Sequence, residues 1–229
     1  VVLVERDSET GTTLSKTLGS RVQYIEADLT VSKACKKAIE QTVSLFGGLD
    51  VLVNNAGFND GLGLETPPED FMRSVQNNLL HVYAMTHYAL PLLRKGQGCL
   101  VNLGSKVSET GQGHTSAYAA AKGAISALTR EWAVALAPDK IRVNCVIPAE
   151  CLTDQYEQFF LSQVEPEAAK KAISKLVPFA QRLTTPQEIA QTIVFLASDR
   201  SSHTTGQLVF VDGGYTHFDR AVGHGHNKW

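Results

Sequence analysis

Several kinds of segment are absent from the 229-residue sequence, and each absence excludes a class of protein. No uninterrupted apolar run approaches the ~18 residues that a transmembrane helix requires. No charged stretch followed by an apolar one opens the chain, as it would in a secretory leader. We therefore expect a cytoplasmic protein with no membrane partner.

Clustered charge is also absent, since 21 lysines and arginines are interspersed with 23 acidic residues and the net charge is -2. A nucleic-acid or polyanion partner is therefore not expected. The four cysteines, Cys35, Cys99, Cys145 and Cys151, have no C-x-x-C spacing, which predicts free thiols. The closest histidine pair, in His224-Gly-His226, favours an exposed tail over a metal site, so no metal is expected.

Apolar runs alternate with segments of helical periodicity along the whole sequence. With 43% hydrophobic residues and no internal repeat or linker, residues 1–229 are predicted to form one domain. Continuous apolar runs are typical of parallel strands that are covered on both faces. The predicted strands are 1–4, 22–27, 49–53, 99–103, 141–147 and 208–211. The predicted helices are 8–19, 32–46, 67–94, one that carries Tyr118 and Lys122 and continues to about Ala137, and 185–198. This order predicts an α/β fold, a doubly wound parallel sheet with helices on both faces.

Tyr118 and Lys122 are the first chemically suggestive pair. They lie four positions apart in an alanine-rich helical segment, so an ammonium and a phenol share one helix face. A nearby cation favours the phenolate, and a tyrosine with a lowered pKa can exchange protons at neutral pH. The alternative is an ordinary tyrosine and lysine on a helix surface.

Ser105 and Asn78 add to this pair. Ser105 precedes Tyr118 by thirteen positions and follows a predicted buried strand, so that the strand end and the helix can meet. Asn78 lies within a long predicted helix, where an asparagine can bend the main-chain hydrogen bonding and hold a water molecule. On its own it would more often be a surface or capping residue.

Together with Asn54-Asn55-Ala56-Gly57, these residues resemble the short-chain dehydrogenase/reductase family, from Val1 to about Gly214. The resemblance implies a catalytic tetrad of Asn78, Ser105, Tyr118 and Lys122. Tyr118 would be the acid/base, and Ser105 would bind the reacting oxygen. Lys122 would lower the pKa of Tyr118 and hold the nicotinamide ribose, and Asn78 would position a relay water.

The resemblance implies NAD as cofactor, bound at the carboxyl edge of the sheet. Glu5 ends the first strand, where an acidic side chain accepts hydrogen bonds from the adenosine ribose and repels the 2′-phosphate of NADP. Arg6 follows directly and could instead attract that phosphate. Asp28 and Leu29 would contact the adenine, although Asp28 could instead cap the next helix.

The Asn54–Gly57 turn would place the backbone of Asn55, Ala56 and Gly57 against the cofactor, with Asn54 stabilising the sheet. A purely structural turn is the alternative. Pro148 would also line the cofactor site, and Thr153 would bind the nicotinamide carboxamide. Family members carry a T-G-x-x-x-G-x-G loop ahead of the position of Val1, so we expect a first strand, a glycine-rich loop and a helix to precede the sequence given.

The stretches 110–113, 146–150 and 211–217, with Asp219-Arg220, resemble sugar dehydrogenases of this family. Gln112 and Glu150, together with Ser105 and Tyr118, are therefore predicted to bind the substrate, since each buried hydroxyl of a polyol needs a partner. The expected reaction oxidises the C1 hydroxyl of an L-fucose-like aldopyranose to a lactone.

Two alternatives to a sugar dehydrogenase stay open. Residues 150–180 are predicted to form a substrate lid of two short helices, and Phe159, Phe160 and Leu161 in it would suit an NAD(P)-dependent hydroxysteroid or 3-oxoacyl reductase. A protein that senses dinucleotides without catalysis belongs to a different functional class. In this family the two long helices, 67–94 and the one that carries Tyr118, usually form the contact of a homodimer or homotetramer.

Overall fold

The computed structural model describes residues 1–217. Within this range every pair of neighbouring strands is parallel. The strands are β1 (Val2–Glu5), β2 (Gln23–Glu26), β3 (Val51–Asn54), β4 (Cys99–Leu103), β5 (Arg142–Pro148) and β6 (Leu208–Val211).

Helices connect the strands and cover them. They are α1 (Ser8–Leu18), α2 (Ser32–Phe46), α3 (Pro68–Val75), α4 (His81–Gly96), α5 (Ser116–Ala135), α6 (Asp154–Leu161), α7 (Pro166–Ser174) and α8 (Pro186–Ala197). The predicted α/β fold is confirmed. A capping box begins α8, where Thr185 and Glu188 each bind the other's backbone N–H.

The strands form two hydrogen-bonded groups, whereas one continuous sheet was predicted. One group has the order β3-β4-β5-β6, and the other pairs β1 with β2. Among residues 1–217 no strand ladder joins the two groups. Val51 and Val53 on the outer edge of the larger sheet are accordingly 39% and 38% exposed.

The alternation of side chains along β4 and β5 places helices on both faces of the larger sheet. Leu100 and Val143 point to one face and belong to a core shared with α2, α4 and α5. Val101 and Val146 point to the other face and pack against α8. All five residues of β4 are buried.

Buried amides cross this sheet. Asn54 Nδ2 donates to Asn102 Oδ1 at 3.0 Å and to Thr86 Oγ1 at 3.2 Å. Asn102 Nδ2 in turn donates to Thr129 Oγ1 at 2.9 Å. These bonds join β3 and β4 to α4 and α5, because buried polar groups are costly unless they are paired. The prediction that Asn54 stabilises the sheet is confirmed.

The described structure also bears on the cysteines and on membrane insertion. All four cysteines are free thiols, as predicted. Between residues 1 and 217, no helix has the combination of length and apolar character that a membrane span needs.

Gly98 allows β4 to begin close to β3. A Cβ atom built on Gly98 would lie 2.0 Å from the carbonyl oxygen of Asp50, which accepts a hydrogen bond from Cys99 N at 2.8 Å. The backbone of Asp50 cannot move aside to relieve this contact, as the end of a flexible side chain could. Gly123 in α5 offers a contrast, because no heavy atom lies within 4 Å of a Cβ built there.

We therefore expect Gly98→Ala and Gly123→Ala to change stability in opposite directions. Overpacking should make Gly98→Ala less stable by about 1–3 kcal/mol. Gly123→Ala should raise the free energy of unfolding by about 0.5–1 kcal/mol, because alanine has less conformational entropy than glycine in the unfolded chain. Denaturant unfolding of both variants tests this. A Gly98→Ala protein as stable as wild type would contradict the close approach of β3 and β4.

Candidate active site

The carboxyl ends of the parallel strands lie at one edge of the larger sheet, and Ser105 is found there. It comes two residues after β4 and begins a short 3-10 turn, Lys106–Ser108. Its carbonyl oxygen accepts hydrogen bonds from Ser108 N at 3.0 Å and from Ser108 Oγ at 2.8 Å. The serine is therefore held in a compact turn and not in a free loop.

Tyr118 and Lys122 lie on the first turns of α5, facing the same strand end. Lys122 is 3% exposed, and its Nζ donates to the carbonyl oxygen of Leu103, the last residue of β4, at 2.8 Å. The same Nζ lies 5.5 Å from the centroid of the Tyr118 ring. The predicted meeting of strand end and helix is therefore observed.

The pKa of Tyr118 is shifted in the direction opposite to our expectation. Burial raises it to about 12, and a hydrogen bond with Ser105 offsets only part of the rise. Burial also lowers the pKa of Lys122 to about 8. The expectation that Lys122 lowers the pKa of Tyr118 is therefore wrong for this structure, because the loss of water around the phenolate raises that pKa.

Asn78 lies in a π-helical turn, Gln76–Leu80, that joins α3 to α4. Its Nδ2 donates to Ser74 O at 3.1 Å, and its Oδ1 accepts from Phe58 N at 2.9 Å. π-turns are frequent at functional sites. The predicted distortion of a long helix at Asn78 is present, and the side chain also fixes the chain just after the Asn54–Gly57 turn.

The side chains of Asn78 and Lys122 both lie close to Gly57. A Cβ atom built on it would lie 3.1 Å from Asn78 Oδ1 and 3.4 Å from Lys122 Nζ. Its φ of 153° also disfavours any residue with a side chain. Gly57, Asn78, Lys122, Tyr118 and Ser105 therefore form one contiguous group at the end of β4.

A cleft of about 270 Å³ extends from this group toward β1 and β2. Its walls include six of the residues predicted to bind the cofactor: Glu5, Asp28, Leu29, Asn55, Ala56 and Gly57. Arg6 lines the cleft as well, so both residues that could recognise the adenosine ribose, Glu5 and Arg6, are present in its walls. A long cleft across the carboxyl ends of parallel strands is where dinucleotides bind in folds of this type.

The two acidic residues of the cleft are held by the backbone. Glu5 Oε1 accepts hydrogen bonds from Arg6 N at 2.7 Å and from Asp7 N at 3.2 Å. Asp28 Oδ1 accepts from Thr30 N and Thr30 Oγ1, which lowers the pKa of Asp28. Val31 and not Asp28 precedes α2, so the alternative of a helix cap at Asp28 is wrong.

His81 lines the same cleft and was not among the predicted site residues. It is 2% exposed, and within the described residues its Nε2 has no hydrogen-bond partner. Burial lowers the pKa of His81, and the charge of Lys122 acts in the same direction, so the imidazole is neutral. An unpaired buried nitrogen and a glycine with no room for a Cβ both fit a site that takes a polar ligand such as a dinucleotide. No local pattern in the sequence distinguishes His81 from an ordinary helical residue.

Besides the predicted tetrad and Glu150, the predicted residues that do not line this cleft are Pro148, Thr153 and Gln112. Pro148 ends β5, and Thr153 caps α6 by accepting from Tyr156 N at 3.3 Å. Gln112 is exposed in the loop that precedes α5. The structure places the first two near the carboxyl edge but does not bring Gln112 into contact with Glu150.

Glu150 has partners that sequence reasoning missed. It is 5% exposed; its Oε1 contacts the ammonium of Lys106, and its Oε2 accepts from the hydroxyl of Tyr156. Burial lowers the pKa of Lys106 and raises that of Glu150. We expected the carboxylate to take its donors from a substrate, but it takes two from the protein. A lysine directly after Ser105 was the only signal in the sequence.

Among residues 1–217, no group of three histidine, cysteine, aspartate or glutamate side chains is placed to hold a metal ion. The histidines of His224-Gly-His226, and Asp219-Arg220, lie outside the described range.

Comparison with known proteins places this arrangement in a family. A family model described as enoyl-(acyl carrier protein) reductase matches residues 1–216. The L-fucose dehydrogenase of Mus musculus is 34% identical over 216 residues, which are 93% of this chain and 78% of that protein. The 3-oxoacyl-(acyl-carrier-protein) reductase of Thermotoga maritima is 35% identical over 199 residues, 86% of this chain and 78% of that protein.

A solved structure agrees with these sequence matches. The crystal structure of Cj0485 dehydrogenase superposes with a TM-score of 0.92 at 43% identity, covering 96% of this chain and 85% of that one. The dehydrogenases of this family use nicotinamide cofactors and act on CH–OH groups. The chain belongs to the short-chain dehydrogenase/reductase family and is an oxidoreductase.

Proposed function

We propose that this oxidoreductase uses NAD to oxidise the C1 hydroxyl of an aldopyranose such as L-fucose to the lactone. The observation that carries the site assignment is the convergence of Ser105, Tyr118, Lys122, Asn78 and Gly57 at the end of β4, with the adjoining cleft. The alternative of a sensor without catalysis gives no account of a phenol and a serine brought together there.

The roles of the chain's own residues follow from their positions. Ser105 donates a hydrogen bond to the reacting oxygen and holds it beside the Tyr118 hydroxyl. Tyr118 gives its proton to that oxygen in carbonyl reduction, and its deprotonated form accepts the proton in alcohol oxidation. Lys122 fixes the distance between α5 and β4 through Leu103 O. Asn78 orients the chain at Phe58 and holds a relay water.

The cofactor would lie along the cleft. Glu5 would bind the adenosine ribose, and Asp28 and Leu29 would contact the adenine. The backbone of the turn Asn55–Gly57 would lie against the central part of the dinucleotide, and Pro148 and Thr153 would line the site beyond that turn. When bound, the nicotinamide supplies the two-electron oxidation, and the protein supplies orientation and proton transfer. A neutral His81 adds no repulsion to the ammonium of Lys122.

The sugar substrate is supported chiefly by the 34% identity to L-fucose dehydrogenase across 93% of the chain. Ser105 and Tyr118 are the proposed contacts to the reacting oxygen. Gln112 and Glu150 are proposed as further polar substrate contacts, with Glu150 also accepting from Lys106 and Tyr156. A 3-oxoacyl substrate is the second candidate, because the reductase of Thermotoga maritima is equally similar and because Phe159 and Leu161 of the lid are exposed apolar residues.

We also propose that the protein is one domain that assembles as a homodimer or homotetramer through α4 and α5. A shallow apolar depression of about 180 Å³ supports this, since it lies on those two helices and is lined by aromatic residues, including Tyr83, His87 and Trp132. Tyr83 and Val134 are 53% and 75% exposed, as large apolar side chains at an interface between copies would be in one isolated copy.

The Tyr118→Phe variant tests the proton carrier. In the active enzyme, kcat should fall by about 10² to 10⁴ because the phenol is lost while the ring remains. The cofactor should still bind, as measured by the change in NADH fluorescence on binding. Tyr83→Phe, an exposed tyrosine on α4, is the matched control.

The pH profile of the wild type adds a second readout. Because the pKa of Tyr118 is raised, the phenol is protonated at neutral pH, and kcat/KM for oxidation should increase as the pH rises above neutrality.

A Tyr118→Phe enzyme with more than about a hundredth of wild-type kcat would refute the assignment of Tyr118 as the proton carrier.

Cofactor choice tests Glu5. NAD should be preferred over NADP, and Glu5→Gln should reduce that preference by about 10- to 100-fold, as expected for one hydrogen bond to a charged group. Glu26→Gln is the matched control, because Glu26 is the register partner of Glu5 on β2 but does not line the cleft. Equal kcat/KM values for NAD and NADP in the wild type would show that Arg6, and not Glu5, determines how the adenosine ribose is recognised.

A substrate panel tests the sugar proposal. Aldoses, secondary alcohols, hydroxysteroids and acyl thioesters should be compared by NADH absorbance, with reduction assayed for the thioesters. We expect the largest kcat/KM for an aldopyranose, and among aldopyranoses for L-fucose. A steroid or acyl thioester as best substrate would contradict the sugar proposal and leave the dehydrogenase assignment intact.

A further inference from the structure

Four side chains from separate parts of the chain meet beside Ser105. Lys106 follows β4, Glu150 follows β5, and Tyr215 follows β6, so that three adjacent strand ends contribute one residue each. Tyr156 comes from α6. We call these residues, Lys106, Glu150, Tyr156 and Tyr215, the Lys106 cluster.

The contacts within the Lys106 cluster form a chain. The ammonium of Lys106 contacts Glu150 Oε1 and lies 4.3 Å from the centroid of the Tyr215 ring. The other oxygen of Glu150 accepts from the Tyr156 hydroxyl. The ring of Tyr156 packs at 5.2 Å from that of Phe160, the buried residue of α6. The carboxylate of Glu150 therefore connects α6 to the residue that follows Ser105.

Burial makes these contacts a strong constraint on geometry. The side chains of Lys106 and Glu150 are 9% and 6% exposed. A buried charge that loses its partner is strongly unfavourable, whereas replacing both charges by apolar groups is often tolerated. The two residues must therefore stay together for as long as this edge of the sheet is folded.

The position of Lys106 is coupled to that of Ser105 through the turn they share. The carbonyl oxygen of Lys106 accepts from Glu109 N and Thr110 N, each at 2.9 Å. Ser105 lies at the start of the same turn. With its side chain held by Glu150 and its carbonyl held by this turn, Lys106 leaves the neighbouring Ser105 little freedom to move.

We propose that Lys106 is a positioning residue that ties helix α6 to the Ser105 turn through Glu150 and Tyr156. It would keep Ser105 and the inner side of α6 in one fixed arrangement around the substrate. The proposal rests on the proposed function only for the role of Ser105. The tie between α6 and the turn can be measured without any activity.

Local hydrogen exchange of α6 tests the tie. In Lys106→Met and in Tyr156→Phe, exchange of the amides of α6 should become at least about tenfold faster, because one hydrogen bond to a charged group is lost. Exchange in α2 and β4 should stay as in the wild type. Lys37→Met, an exposed lysine of α2, is the control for loss of a lysine charge.

The double variant Lys106→Met/Glu150→Met separates positioning from stability. Its melting temperature should recover relative to either single variant, since no unpaired charge stays buried. Exchange of α6 should remain fast, because the Tyr156 hydroxyl has lost its acceptor. In the active enzyme, kcat should fall in Lys106→Met while the KM for NAD stays unchanged, since the cluster does not line the cofactor cleft.

Four outcomes would overturn the proposal. They are unchanged α6 exchange in Lys106→Met, a uniform rise in exchange across the whole domain, recovery of α6 protection in the double variant, and a kcat of Lys106→Met equal to that of Lys37→Met. An enzyme that oxidises no sugar would refute the proposed function, but the exchange experiment would still decide whether Lys106 ties α6 to the turn.

Discussion

The buried ammonium of Lys122 is the constraint on which the geometry of the proposed active site depends. At 3% exposure it has lost nearly all its water, so the protein must supply acceptors and must keep other groups at fixed distances. Leu103 O supplies one acceptor and thereby fixes α5 against the end of β4. Gly57 and Asn78 approach from the other side, and the φ of 153° at Gly57, with a built Cβ only 3.1 Å from Asn78 Oδ1, favours glycine there. The buried ammonium thus fixes α5 against β4 and lies next to the π-turn and the Asn54–Gly57 turn.

The polar groups behind this site are paired inside the protein. Asn54, Asn102 and Thr129 form a buried chain of hydrogen bonds that fixes β3, β4 and α5 before any ligand is present. Such preorganisation lets proton transfer proceed without rearranging the surroundings. Lys106 and Glu150 are likewise paired inside the protein, on the other side of Ser105, as two charged groups and not as amides.

Much of the fold could be predicted from local signals. β4 is a continuous apolar run, α2 ends at a glycine with left-handed geometry, and α8 begins with a capping box, so the predicted bounds of all three agree closely with the structure. The site residues that spacing could connect, Tyr118 and Lys122, were also found to be neighbours. These features depend on residues close together in the sequence.

Other features depend on burial or on distant partners, and there the predictions failed. The sign of the Tyr118 pKa shift follows from loss of water, which spacing does not reveal. Glu150 finds its donor 44 positions earlier, at Lys106. His81 reads as an ordinary helical residue until the cleft is seen beside it.

The central claim is that the group around Lys122 and the cleft beside it form a single dehydrogenase active site. A crystal structure of the enzyme with NAD bound tests it most directly. The account predicts the adenosine beside Glu5 and Asp28, and the nicotinamide beside Tyr118 and Lys122. A cofactor bound outside this cleft, or one whose nicotinamide lies away from the Tyr118 hydroxyl, would contradict it.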